Sequence, residues 1–503
     1  MTAPAYKPAA ADREAKQAPS RQAARLRAAT LGGVLRRHWL ASALVVAGLV
    51  LRVLAQFAYR PALFYIDSVK YLYNAEGNDP EGYKLPLRAI LLVANFNTVV
   101  AFQHLLGLAM AVVIYVVLLR RGASRWLAAL AMAPVLLDAY QLQNEQTIMP
   151  DTLFEALIVA GLAILLWQPR LSWRRVIAAG LVLGTSATVA QVGEALILPA
   201  AIFVAVAAGG GWRRALGHAA LVCAACAVPI LAYCTGSYLL TGDFFLSHSG
   251  VTSFYGRTAA AVDCATIKLA PAERAICPTR AQEAMGNDWL EFNPDSPVQA
   301  IYRRLPRAEV DTIVTNFSHA VVRQQPMRVL NAYLRDVLKV YSVSRHTDSG
   351  DPPISRWQFQ TAFPYLTPHA TKPIVDAAVE RFGGGLPAVW RPVASFLRSY
   401  QLDGGYTPGP LLLLFTLTGL IGSAAVLRRR LDPQTRQLAL ACLLFFGCAV
   451  FVTLISDLFV YSWRYQLPAL VTLAPAGALG IAVIMRSIGA RRSAVVPVRG
   501  ESS

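Results

Sequence analysis

Residues 39–58 read WLASALVVAGLVLRVLAQFA, and residues 63–75 read LFYIDSVKYLYNA. The first stretch is apolar except at Ser42, Arg52 and Gln56, and as a helix it is long enough to cross a hydrocarbon layer of about 30 Å. The second sets one carboxylate, Asp67, among aromatic residues just past that crossing. Further apolar runs lie at about 97–119, 126–140, 150–168, 176–190, 193–209, 215–240, 409–427, 437–457 and 466–485. The fold class is therefore a polytopic α-helical membrane protein with about 10 transmembrane helices. The runs at 126–140 and 176–190 are short, and a re-entrant course stays open for them. Composition agrees: 55% of the 503 residues are hydrophobic and 15% charged, against about 25% charged in a soluble domain. This excludes a disordered chain and an ordinary cytosolic enzyme.

Lys and Arg total 47 against 29 Asp and Glu, a formal charge of +18. Nucleic acid is not the partner this implies. Many of the basic residues cluster between apolar runs: Arg120, Arg121 and Arg125; Arg170, Arg174 and Arg175; Arg213 and Arg214; Arg428, Arg429, Arg430 and Arg436; Arg486, Arg491 and Arg492. The alternate turns, near 141–149, 191–192 and 458–465, hold only Arg464. This is the positive-inside pattern, and it predicts cytoplasmic N- and C-termini in the cell membrane.

The chain divides on this reading into a disordered basic cytoplasmic arm over 1–38, a membrane module over 39–240 with a first outer loop at 59–96, an extracytoplasmic mixed domain over 241–408, a second membrane module over 409–485 and a cytoplasmic tail over 486–503. In the outer domain helical spacing predicts segments at 298–304 and 310–325, the latter placing Ile313, Val314, Phe317 and Val321 on one face, with a break at Pro326. Cys264 and Cys277 are the two cysteines of that domain, and an oxidising compartment would let them pair. Cys223, Cys226, Cys234, Cys442 and Cys448 fall in apolar runs, where packing is the reading preferred to a redox or metal pair.

Charges near a membrane are costly and concentrate functional information. Asp67, Glu145, Asp151, Glu194, Asp457 and Arg464 all lie at or near predicted outer helix ends, and Arg52 and Asp138 fall in the outer halves of spans. The span middles are nearly free of charge, unlike the charged midplanes and repeated halves of ion-coupled transporters. A reaction site at the outer face, roofed by the 241–408 domain, is the arrangement this pattern predicts. Burial beside Ile66 and Tyr65 would raise the pKa of Asp67 and suit it to general-base work; the competing role is a helix N-cap.

The setting of Asp67 resembles the first-loop acidic motif of the GT-C superfamily of integral-membrane glycosyltransferases, in the branch containing protein O-mannosyltransferases and lipid A aminoarabinose transferases. Pro80-Glu81-Gly82-Tyr83-Lys84-Leu85-Pro86-Leu87 resembles that branch's Pro-Gly-Tyr-Pro-Leu segment, leading through Gln103-His104-Leu105-Leu106-Gly107 into the second span. Met149-Pro150-Asp151-Thr152-Leu153-Phe154-Glu155 resembles its fourth-span opening and Gly180-Leu181-Val182-Leu183-Gly184 its fifth span. The likeness runs by motif over about 40–240 and by architecture beyond. Two departures stand out: Ser68 follows Asp67 where many relatives carry Glu, which weakens any role needing a second carboxylate such as metal binding, and Gln191 and Glu194 stand near where the family often has Arg.

The resemblance implies transfer of a sugar from a polyprenyl-phosphate donor to an acceptor hydroxyl, in service of cell-envelope or cell-wall biogenesis. The acceptor would be an envelope glycan, a lipid or a protein, with membrane lipids around it. It implies a lipid-linked sugar as co-substrate; no cofactor is certain, and a divalent metal is possible but not indicated. In that reading Asp67 is the base, and Arg464 with Tyr465 receives the departing phosphate, since Arg suits paired contacts to phosphate oxygens. Arg464 also fits an interfacial snorkelling role. Lys70, Lys84 and Arg257 are further phosphate candidates or else solvated surface charges; Asp151 and Glu194 bind sugar hydroxyls or cap helices; His248 lines the site or is a surface histidine. A transporter or flippase of lipid-linked envelope precursors, and a non-catalytic assembly protein, are the competing functions.

Overall fold

The structure is a computed structural model, and it describes residues 32–33, 36–73, 80–428 and 431–495. Most of the predicted arm over 1–38, the first-loop positions 74–79 and the tail from 496 lie outside the described residues. Seven described helices are long and apolar enough to cross a membrane: Trp39–Ala58, Phe96–Arg120, Gln191–Ala208, Trp212–Thr241, Gly409–Leu427, Pro433–Phe459 and Trp463–Gly489. The predicted runs at 126–140, 150–168 and 176–190 form the shorter helices Arg125–Leu137, Asp151–Leu166 and Trp173–Val189. The chain is a polytopic helical membrane protein.

The run at 126–140 departs most from expectation. Its helix stops at Leu137, and Asp138 caps a new one, accepting a bond from the Tyr140 amide at 3.0 Å. The new helix, Ala139–Gln146, is polar yet buried at all eight positions. Asp138 is thus a cap at a break and not a charge inside a span.

In the 241–408 segment the helix Arg307–Gln324 buries Val310, Val314, Phe317 and Val321 against Tyr255 and Val298. Pro326 opens the next helix, Pro326–Lys339, because its ring fixes φ and lacks an N–H that a first turn does not need. Cys264 and Cys277 are disulfide-bonded, with Cα atoms 6.1 Å apart.

Three sets of contacts stitch this segment and the first loop to the helix ends. Tyr59–Arg60 pairs antiparallel with Ala388–Val389, Tyr59 opposite Val389. Leu63 exchanges backbone bonds of 3.0 Å with Gln146 and Ile148, forming a parallel bridge to Thr147. Ser68 donates to the Ile148 carbonyl at 2.8 Å and receives the Tyr65 amide at 2.8 Å. The turn carrying Asp67 is therefore fixed beside the start of the Asp151–Leu166 helix.

Candidate functional site

Arg464 is the centre of the site. It leaves the Pro433–Phe459 helix by way of Ser462 and sits in the short turn Trp463–Gln466. Its Nε donates to Asp151 Oδ1 at 2.7 Å and its Nη1 to Asp67 Oδ2 at 3.2 Å. Its guanidinium carbon lies 5.4 Å from the Trp357 ring centre, 5.9 Å from that of Tyr65 and 5.2 Å from that of Tyr465, so aromatic faces hold it in cation–π contact. Asp67 receives a second cation, Lys70 Nζ at 3.5 Å from Oδ1. Three sequence-predicted residues, Asp67, Asp151 and Arg464, thus meet across nearly 400 positions of chain, with Lys70 and Tyr465 beside them.

Asp67 occupies the N-cap position of the Ser68–Leu72 helix, but its side chain makes no capping bond. The expected rise in its pKa is corrected. Burial pushes the carboxyl up, but Lys70 and Arg464 outweigh it and hold the group below the usual carboxylate range. As it stands, Asp67 is an ion-pair partner and a weak base.

Four residues that sequence reasoning passed over complete the cluster. Trp357 packs on Tyr65 with ring centres 4.3 Å apart. Arg356 Nη1 lies 3.4 Å from both the Tyr65 hydroxyl and Asp288 Oδ2. Burial pushes the Tyr65 hydroxyl up to about 12, with Asp67 adding to the rise. Burial, with a smaller contribution from Asp67, also raises the Asp288 carboxyl against the pull of Arg356. Arg345 stands nearby in an aromatic cage of Tyr140, Tyr406 and Trp463, paired with Asp138 at 2.8 Å. No periodicity marks Asp288, Arg345, Arg356 or Trp357. Only tertiary contacts bring them in, and a cation beside an aromatic (Arg356-Trp357) was the one local hint.

The remaining candidates make other contacts. Lys84 pairs with Glu81, three residues back, and has no bond to the cluster. Arg257 is neither solvated nor at the site: it is buried, pairs with Asp336 at 2.6 Å and donates to the Asp457 carbonyl at 2.7 Å, tying the 241–408 segment to the end of the Pro433–Phe459 helix. His248 stacks on Phe245 with centres 3.7 Å apart, and burial lowers its pKa. Glu194 lies exposed in the Gln191–Leu196 turn, which packs on the Trp173–Val189 helix. Among the described residues no group of three or more His, Cys, Asp or Glu side chains is placed to hold a metal ion.

Behind the cluster a second polar group is sealed in the helix bundle. Arg52 pairs with Glu145 at 2.6 Å and donates to the carbonyls of Gly48, Val135 and Leu136. His104 bridges Glu145 and Gln146 at 3.0 and 2.8 Å. Gln141 links Glu145 to Glu155 at 3.4 and 2.6 Å, and Glu155 lies one helical turn beyond Asp151. Asp151 Oδ2, Thr152 Oγ1, Glu155 Oε1 and Gln141 Oε1 are buried without a protein partner among the described residues.

No protein-family model and no curated protein matches the chain. Among solved structures it is similar to the S. cerevisiae protein O-mannosyltransferase Pmt1–Pmt2 complex bound to the sugar donor, at 17% identity and a TM-score of 0.32, over 44% of this chain and 36% of that one. It is also similar to the oligosaccharyltransferase AglB of Archaeoglobus fulgidus in complex with an inhibitory peptide and a dolichol-phosphate, at 13% identity and a TM-score of 0.40, over 93% of this chain and 53% of that one. The apo form of the A. fulgidus enzyme gives 14% and 0.42, again over 93% and 53%. The chain thus spans about a third to a half of the length of the structures it matches. Likenesses of this size carry no reading of the chemistry, which rests on the residues of the site.

Proposed function

We propose that the chain is a membrane glycosyltransferase that moves a sugar from a polyprenyl-phosphate donor to an acceptor hydroxyl at the outer membrane face. One observation carries the proposal: Arg464 is held by Asp67 and Asp151 at the helix ends, inside an aromatic wall and next to Lys70. A donor whose prenyl chain lies among apolar helices would bring its phosphate to this level. As the bond from the anomeric carbon to the phosphate oxygen breaks, the electron pair goes to the phosphate, whose negative charge grows. Preorganised cations answer that charge, and Arg does so with paired donors. The acceptor oxygen bonds to the anomeric carbon, and its proton passes to a carboxylate of the site.

Asp67 serves as that carboxylate once the donor is in place. The donor phosphate competes for Lys70 and Arg464, and each contact it takes from Asp67 restores basicity to the carboxyl. The unpartnered oxygen of Asp151 is an acceptor suited to a sugar hydroxyl. The reading includes ten spans, with the three shorter helices crossing too, and an extracytoplasmic 241–408 domain.

The test is reconstitution of the full chain in liposomes with decaprenyl-phosphate-linked mannose, glucose or arabinose and a panel of hydroxyl acceptors. Covalent transfer that Asp67→Asn loses with its fold intact supports the reading. Passage of the lipid-linked sugar across the bilayer, with no prenyl phosphate released, contradicts it.

A further inference from the structure

The site has two unequal halves. On one side Arg464 and Asp151 are deeply sunk, with side chains 10% and 13% exposed. On the other Arg356 and Asp288 are 25% and 33% exposed. Tyr65 joins them: its ring faces Arg464 and its hydroxyl faces Arg356. The sunk half belongs to helix ends and the open half to the 241–408 segment, and Asp67 of the first loop, 29% exposed, stands between them.

Asp288 is held in place by its neighbours. Gly286 has φ of +85°, a left-handed conformation that a side chain resists, and a Cβ there would run into the carbonyl of Gly350. Asn287 donates its side-chain amide to the Phe459 carbonyl at 3.1 Å, tying the Gly286–Phe292 helix to the end of the Pro433–Phe459 helix. Two consecutive residues thus fix the backbone that presents Asp288, while its carboxylate keeps access to solvent.

We infer that Asp288 and Arg356 form the acceptor subsite, and that the acceptor is a glycan presenting neighbouring hydroxyls. The inference rests on the transferase reading above. The donor, lipid-linked, takes the sunk half; the acceptor, arriving from water, meets the open half. A carboxylate and a guanidinium side by side make a two-point reader: Asp288 accepts from one hydroxyl while Arg356 donates to the next. A sugar ring satisfies both, whereas a single serine or threonine hydroxyl satisfies one. Asp67, Arg356 and the Tyr65 hydroxyl are the titratable groups that bear on Asp288, and Arg356 offsets its charge, so the pair suits a neutral hydroxylated acceptor.

The experiment compares wild type, Asp288→Asn, Asp288→Glu and Arg356→Lys, full-length and reconstituted, with the same decaprenyl-phosphate sugars. The acceptors are octyl α-mannoside and a Ser/Thr-containing peptide. Transfer goes to the glycoside, and Asp288→Asn raises its KM by about tenfold or more with kcat within about twofold. Binding of decaprenyl phosphate stays as in wild type, which shows that the fold is kept, and Asp288→Glu recovers part of the loss. An unchanged acceptor KM in both Asp288→Asn and Arg356→Lys overturns the subsite while leaving the transferase standing. Preference for the peptide overturns the glycan assignment. No transfer by wild type to any acceptor overturns the transferase reading and this inference together.

Discussion

At the residue scale Arg464 has three claimants in the proposed reaction: Asp67, Asp151 and the incoming phosphate. The first two are present, bonded at 3.2 and 2.7 Å. Removing one anionic competitor frees the cation, so Asp67→Asn binds decaprenyl phosphate more tightly, by about tenfold, while transfer falls by about a hundredfold or more. Native mass spectrometry reads the first effect and an activity assay the second; equal or weaker binding contradicts the competition. Arg464→Lys loses the paired geometry and weakens the same binding by about tenfold. The ion pair also has a pH signature. Because the Asp67 carboxyl is held below its ordinary value, its stabilising contribution is complete above about 3.9 and is lost as pH falls through the lower folded value. Melting temperatures of wild type and Asp67→Asn should therefore differ by a constant amount from pH 5 to 8 and converge only below about pH 4. Sequence alone picked out Asp67, Asp151 and Arg464, because a charge at a helix end beside an apolar run is conspicuous. It misjudged the basicity of Asp67, because it left out Lys70, three residues on, and because the second cation, Arg464, lies 397 residues away along the chain.

At the element scale the least expected feature is the buried polar helix Ala139–Gln146. An apolar run followed by Gln, Asn and Glu reads as a span emerging into water. Asp138 instead caps a new helix that folds back under the first loop, and Arg52 meets Glu145 inside the bundle. A buried pair with its carbonyl contacts is strongly coupled to its surroundings. Arg52→Ala should cost about 3–5 kcal/mol by stranding Glu145, measured as reduced thermal stability in detergent, whereas an exposed arginine such as Arg170 should cost little. A loss within about 0.5 kcal/mol would show that the pair is not a fixture of the fold. Helix periodicity did reveal the Arg307–Gln324 helix, since Val314, Phe317 and Val321 share a face whatever they pack against. It did not reveal Arg356 and Trp357, which lie in a single short turn between loops.

At the scale of the whole molecule, hydropathy made the membrane class legible, and seven helices meet the length and polarity of a crossing. The two-point site was not legible, because its halves come from segments with unrelated patterns. The proposed topology places the turn near residue 168 in the cytoplasm and residue 272 outside. A maleimide that cannot cross the membrane should label Ala272→Cys in intact cells, and Gln168→Cys only after permeabilisation; the reverse pattern would put the site on the cytoplasmic face. Covalent transfer is tested by following both products of one reaction. Purified full-length protein in liposomes is given decaprenyl-phosphate-linked sugars and octyl α-mannoside. One decaprenyl phosphate should be released for each glycoside extended, in wild type and not in Asp67→Asn. Donor left intact, or carried across the bilayer with its sugar still attached, would contradict covalent transfer.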